Sequence, residues 1–213
     1  LHYNRSAEDA RALAAELNTK REGSCRIFQA ELNDGAQCGQ LVEDVLAAFD
    51  GIKALINNAS AYFPTPLSEP TDAAWDELLD TNLKAPYLLA QAARHSLSEH
   101  RGCVVNVLDA HASKPTRNYA IYNLSKSALA DLTQSLALEY SPEVRVNGVA
   151  PGAILWPEDP DFGEQQQQTM LEKIPLASLG TCQDVAAAVV FLTMDAPYIT
   201  GQMLAVDGGR ALT

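Results

Sequence analysis

The sequence predicts a doubly wound α/β domain, a parallel sheet covered by helices on both faces. Two observations predict the sheet. Strand-like and helix-like segments alternate from end to end, and the strand-like segments are continuous apolar runs without in/out alternation, as strands buried on both faces are. A third bounds the size: 213 residues, 47% of them apolar and 20% charged, suit one large domain and not a disordered chain.

The elements follow in order. Ser6 followed by Asp9 resembles a capping box, and Ala10, Leu13, Ala14 and Leu17 recur at helical spacing, so 7–20 reads as an amphipathic helix. Cys25 to Leu32 reads as a strand, and Leu41, Val45 and Phe49 mark a helix over 37–49. Lys53 to Asn57 is a short apolar strand, followed by a loop with Pro64, Pro66 and Pro70. The segment 71–98 is helical in composition, with a kink expected near Pro86. Cys103 to Leu108 is a β-branched strand, 119–140 a helix, and Val144 to Val149 a strand ending at Pro151-Gly152. An irregular stretch with Pro157, Pro160 and the glutamines 165–168 comes next. Thr181 with Asp184 caps a helix over 182–194, and Met203 to Val206 is the last strand, closed by Asp207-Gly208-Gly209.

The start of the chain departs from this plan. A doubly wound nucleotide-binding domain opens on a strand, a Gly-rich turn and a helix, and no G-x-G-x-x-G occurs here. Leu1 to Ser6 reads as the end of a second strand entering its helix. In a 3-2-1 half-sheet the first strand is central, and omitting it leaves both neighbours with unpaired backbone groups. The expectation is a single domain over 1–213 that lacks an N-terminal βα unit of roughly 30 residues. A fold sheared at that edge is the alternative.

Composition excludes several functions. Fifteen Lys and Arg against 27 Asp and Glu give a net charge of −12, the wrong sign for nucleic acid or a polybasic membrane surface. No apolar run approaches the ~20 residues that span a bilayer, and no signal peptide opens the chain. Cys25, Cys38, Cys103 and Cys182 are scattered without C-x-x-C, so no metal site or redox pair is expected, and reduced packing thiols fit a cytoplasmic protein.

Tyr122 and Lys126 stand four apart on a predicted helix and so share a face. An ammonium near a phenol favours the phenolate and lowers its pKa, which tunes a general acid for neutral pH. Asp109, thirteen residues before Tyr122, ends a buried strand, where the active-site groups of open α/β sheets collect.

With Asn57-Asn58-Ala59, Asn82, Arg145-Val146-Asn147 before Pro151-Gly152, and Tyr198-Ile199-Thr200-Gly201 before Asp207-Gly208-Gly209, the chain resembles the short-chain dehydrogenase/reductase family over nearly its whole length. The resemblance implies a Rossmann-like fold. It implies that Tyr122 exchanges the substrate proton, that Lys126 binds the nicotinamide ribose, and that Asn82 holds a water of the proton relay. Most members carry Ser or Thr where Asp109 stands. A carboxylate there repels a developing ketone oxyanion and suits a nitrogen heterocycle offering N–H donors.

A narrower resemblance agrees. His2-Tyr3-Asn4-Arg5-Ser6, Asp109, and Asn57 to Ala61 with Tyr62-Phe63-Pro64-Thr65-Pro66 look like the pteridine reductase branch, which reduces pterins and often folates with NADPH. It implies that Tyr62 stacks on the pterin, and that Tyr62, Asp109 and Tyr122 together bind substrate. Arg5 and Ser6 stand where an NAD enzyme places an acid, and fit a ribose 2′-phosphate, the alternative being a solvated arginine and a helix cap. Asn4, Glu31, Leu32, Asn57, Ala59, Ser60, Lys126, Pro151 and Gly152 complete the expected cofactor contacts, Glu31-Leu32 reading almost equally as a plain strand end.

His111 reads as a loop histidine or a proton relay. Trp156 reads as a lid or as packing, and Asp159 and Asp161 as solvated charges. The expected function is an NADPH-dependent pterin reductase with Tyr122 as proton donor, and family resemblance implies a homotetramer packed through 71–98 and 119–140. A carbonyl or 3-oxoacyl reductase is one alternative, and a non-catalytic cofactor sensor or scaffold another.

Overall fold

The computed structural model describes residues 1–69, 71–111, 114, 116–156 and 163–213. Its elements are β1 (His2–Tyr3), α1 (Ala7–Lys20), β2 (Phe28–Gln29), α2 (Gly35–Ala48), β3 (Ala54–Asn57), α3 (Asp72–Leu79), α4 (Ala85–Glu99), β4 (Cys103–Val107), α5 (Ala120–Tyr140), β5 (Arg145–Pro151), α6 (Glu164–Leu171), α7 (Cys182–Met194) and β6 (Met203–Val206). All strand pairs are parallel, with β1 against β2 and the order β3-β4-β5-β6.

The strands are apolar throughout because both faces are covered. Val104 and Val146, paired across β4 and β5, pack with Leu97 of α4 and Leu136 of α5. Their neighbours Val105 and Val149 point the other way, onto Leu192 of α7. Helix starts carry the chemistry that stops a chain unravelling. The Asp34 carboxylate accepts from the Ala36 amide at 2.9 Å, and Thr181 with Asp184 forms the expected capping box of α7.

Four expectations need correction. The capping box at α1 does not form. Ser6 occupies the N-cap but makes no side-chain bond, its backbone (φ −81°, ψ 57°) lying outside the extended conformation that aims the hydroxyl at the first turn. The strand expected over 25–32 contracts to two residues, because side chains take its backbone groups. Asn18 holds both the amide and the carbonyl of Cys25 at 2.9 Å, and Gln37 takes the Glu31 amide at 2.8 Å. The glutamines lie on α6 rather than in irregular chain.

The break in the long helical segment also begins earlier than Pro86. Asp80–Lys84 form a widened turn in which the Ala85 amide reaches back five residues to Asp80. Pro86 sits in the first turn of α4, where a missing N–H costs least, and has none to offer the Asn82 carbonyl four residues back.

The strands fall into two sheets, β1-β2 and β3-β4-β5-β6. Between β1 and β3 runs a trough of about 920 Å³, with Leu41, Val42 and Leu55 among its apolar lining. Helix α2 bridges the two parts by packing on both β2 and α4.

Candidate active site

Asp109 follows β4 at its C-terminal end and is fixed from both sides. The Leu108 amide donates to the Val149 carbonyl at 2.7 Å and the Ala110 amide to that of Pro151 at 3.0 Å, so the backbone stays tied to β5 past the last residue of β4. One carboxylate oxygen, Oδ1, accepts from the His111 amide at 2.6 Å, and the other, Oδ2, accepts from the Tyr122 hydroxyl at 2.8 Å. Helix α5 presents Tyr122 and Lys126 on one buried face, and the Lys126 ammonium donates to the Val107 carbonyl at 2.9 Å.

The electrostatics run opposite to the expected tuning of the phenol. Burial pushes the Tyr122 pKa up, and so do the Asp109 charge and the bond to it. Burial brings Lys126 down to about 8, opposed by the Asp109 charge. The expectation that Lys126 lowers the phenol's pKa is therefore corrected: a carboxylate sits directly on the hydroxyl, and the ammonium is turned to a main-chain oxygen. Tyr122 is held protonated, the form a proton donor needs.

Tyr62 leans edge-on over Tyr122, ring centres 4.7 Å apart. Its face is stacked on Tyr119 at 4.8 Å with 13° between planes. Sequence reasoning missed Tyr119, the residue that immediately precedes α5.

Asn82 is wholly buried in the widened turn, and its amide is fully used. Oδ1 accepts from the Ser60 hydroxyl at 3.0 Å and the Ala61 amide at 2.8 Å, while Nδ2 donates to the Ala61 carbonyl and to the Ser125 hydroxyl, both at 3.0 Å. Its side chain thus pins the loop after β3 to α5. Ser125, which donates in turn to the Tyr122 carbonyl at 2.8 Å, was also missed; nothing in its spacing marked it out.

The expected cofactor residues gather elsewhere. Asn4, Arg5, Ser6, Glu31, Leu32, Asn57, Ala59 and Ser60 all border the trough between β1 and β3. Asn4 donates to Glu31 at 2.9 Å, which fixes that rim. Arg5 and Ser6 are exposed, and among the described residues the guanidinium makes no ion pair. A free fork beside a free hydroxyl fits a phosphate. Leu32 is core, and Asn57 is spent on Asn106 at 2.8 Å. Pro151 and Gly152 lie beyond the trough at the end of β5, where a Cβ on Gly152 would come within 2.7 Å of the Asp207 backbone. Ser60, bonded to Asn82, joins trough to tyrosine.

Asn147, part of the motif evidence, serves the scaffold. It donates to the Ile199 carbonyl at 2.8 Å and accepts from the Gln202 amide at 3.0 Å, tying β5 to the turn before β6. His111 lies against Asp109, its Nδ1 3.7 Å from Oδ1. Trp156 is half-buried, and Asp159 and Asp161 lie outside the described residues.

The chain is similar to known proteins over its whole length. The family described as Enoyl-(Acyl carrier protein) reductase matches residues 1–211. Pteridine reductase 1 of Leishmania tarentolae is 36% identical, over all of this chain and 87% of its own length. A 3-oxoacyl-[acyl-carrier-protein] reductase of Staphylococcus aureus is 32% identical, over 98% of this chain and 86% of its own. The crystal structure of a blue fluorescent protein from a metagenomic library, in complex with NADPH, superposes with a TM-score of 0.90 at 32% identity, covering 99% of this chain and 86% of that one.

Proposed function

From membership of the short-chain dehydrogenase/reductase family, to which this chain belongs, we propose that the protein is a pteridine reductase. It is an oxidoreductase that uses NADPH; the pterin is the finer reading. The observation that carries it is the Asp109 carboxylate seated on the Tyr122 hydroxyl. A carboxylate at the reacting site accepts the N–H donors of a pterin ring and repels the oxygen of a ketone as it gains charge.

Arg5 and Ser6 hold the ribose 2′-phosphate, and the main chain of Asn57 to Ala59 and of Pro151-Gly152 flanks the cofactor. When bound, NADPH supplies a hydride to a ring carbon of the substrate. Tyr122 gives its proton to the adjacent ring nitrogen. Asp109 accepts a ring N–H and in doing so competes for the phenol's bond, which frees the hydroxyl to turn to the substrate. Lys126 offsets the charge left on the phenolate. Tyr62, backed by Tyr119, is the aromatic wall against which the flat ring lies.

A 3-oxoacyl reductase is the second reading, favoured by the staphylococcal relatives. NADPH oxidation measured with dihydrobiopterin, dihydrofolate and a 3-oxoacyl thioester separates the two. Turnover of the thioester alone overturns the pterin reading. The same enzyme is a homotetramer, a state consistent with apolar side chains exposed on α4, α5 and α7.

A further inference from the structure

Strands β4, β5 and β6 are parallel neighbours, so they end side by side at one edge of the sheet. The chain that leaves each end carries something different there. After β4 come Asp109 and Ala110, whose amide is bonded to the Pro151 carbonyl at the end of β5. Gly152 then passes so close to the chain after β6 that a Cβ on it would come within 2.7 Å of Asp207. The Asp207 carboxylate closes a turn by accepting from the Gly209 amide at 2.9 Å and the Ala211 amide at 2.7 Å. Gly208 has left-handed backbone (φ 62°), and a Cβ on it would come within 2.7 Å of the Ile174 side chain. This turn lays Arg210 against the segment that leaves α6, on the edge of the sheet that also holds Asp109.

Arg210 and Lys173 line a pocket of about 410 Å³ there, with Gln165, Gln166, Thr169 and Met170. These six residues carry two positive charges and no acid, in a chain whose net charge is −12. Among the described residues neither cation makes an ion pair. Their part in the scaffold is played by main chain: the Thr213 hydroxyl donates to the Lys173 carbonyl at 2.9 Å and to that of Arg210 at 3.0 Å. The charged ends are left over. The Arg210 charge also reaches the reacting groups. After burial, it is the largest influence holding the His111 imidazole below the usual histidine range, and the His111 amide is bonded to Asp109 at 2.6 Å.

We propose that Lys173 and Arg210 form an anion subsite, which holds the charged tail of the substrate while its other end reacts at Tyr122. The planar guanidinium pairs with two oxygens of a carboxylate or phosphate, and the ammonium adds a mobile point charge. Two cations in one pocket of an acidic protein also draw an anionic substrate toward this edge. Both readings of the substrate supply such a tail: the glutamate carboxylates of a folate, or the phosphate of a pantetheine thioester. The inference rests on Asp109 and Tyr122 being the reacting site, and not on which of those substrates reacts there.

The test measures KM for two pairs of substrates, each with a charged and an uncharged tail. Dihydrofolate is set against dihydrobiopterin, and acetoacetyl-CoA against acetoacetyl-N-acetylcysteamine. Lys173→Gln and Arg210→Gln should each raise KM for the charged member by about 3- to 10-fold, and the double variant by about 30-fold, the scale of charge-assisted contacts open to solvent. KM for the uncharged member, and kcat for both, should stay within about twofold. Raising the salt from about 0.05 to about 0.3 M should weaken the wild-type preference for the charged member. An equal rise for both members, an unchanged KM for the charged member in the double variant, or a wild type that accepts uncharged members alone overturns the subsite. Which pair the wild type turns over decides the pterin reading and identifies the tail as carboxylate or phosphate. The effect of the variants within that pair decides the subsite.

Discussion

Asp109 accepts two hydrogen bonds and carries the charge that holds the Tyr122 proton in place. Serine at this position keeps at most part of the first function and none of the second. Asp109→Ser should therefore lower kcat/KM for dihydrobiopterin by about 100-fold, the usual loss when an electrostatic partner of the reacting atoms is removed. NADPH affinity, read by fluorescence titration, should stay within about threefold, because Asp109 is not among the residues proposed to hold the cofactor. Undiminished pterin turnover removes the reason for naming this substrate class. Lys126 makes a different prediction. Its ammonium is the form that offsets a phenolate, and it is lost as pH rises through about 8. Activity should fall on that alkaline limb, and a flat profile to pH 9.5 contradicts the role. The stability sign is the reverse. The folded pKa lies below the unfolded value of 10.5, so the cost of burying the charge is fully present below pH 8 and is relieved as pH rises toward 10.5. Lys126→Met removes a cost of at most about 3 kcal/mol and orphans the Val107 carbonyl at about 1–3 kcal/mol. At pH 7 its denaturation midpoint should hold or rise while turnover collapses, and a clear drop in the midpoint refutes this balance.

The widened turn over Asp80–Lys84 shows what an element owes to its own sequence and what it owes to the rest of the chain. Pro86 announced a break, and the break is there. Its start at Asp80 was not legible, because it depends on Asn82 reaching Ser60, Ala61 and Ser125, partners 21 to 43 residues away. Asn82→Ala would leave the buried Ser125 hydroxyl and the half-buried Ala61 backbone without this partner and should cost about 1–3 kcal/mol in chemical denaturation. A loss under about 0.5 kcal/mol would mean that the turn stands without its amide. The same division explains the other elements. Helix α7 was read to its bounds, Cys182–Met194, because Thr181 and Asp184 cap it locally. The strand at Phe28–Gln29 was overestimated because Asn18 and Gln37 capture its backbone, and a side chain's choice of partner leaves no trace in hydropathy. In the site, Asp109, Tyr122 and Lys126 were legible since a strand end and a helix face bring them together. Tyr119 matters through its stack on Tyr62, and Ser125 through the bond it accepts from Asn82, partners far away in the chain.

At the scale of the whole molecule, the charge of −12 spreads over a surface that still exposes large apolar side chains at many points, two groups of which bear on assembly. One lies on α4 and α5, where Tyr87, Leu124 and Leu138 are exposed, Leu138 by 82%. Leu124 and Leu138 are fourteen residues apart, so they fall on one side of α5. The other lies beside β6, the edge of the sheet, with Val190 and Met194 of α7 and with Tyr198, which is fully exposed. Isolated apolar residues on a surface need no explanation, but patches on two different faces are what a closed tetramer built from two kinds of two-fold interface requires. Light scattering on eluted protein should give four times the chain mass. In the proposed tetramer Leu138→Asp would place a charge on the first of these faces and Met194→Asp on the second, and each alone should leave dimers because the other contact survives. The double variant should be a monomer. A wild type that elutes as a monomer, or one substitution that abolishes both contacts, refutes the two-interface arrangement. Asp109, Tyr122 and Lys126 are brought together by α5 packing on β5 beside β4, so dimers of either kind should retain NADPH oxidation whenever that packing holds.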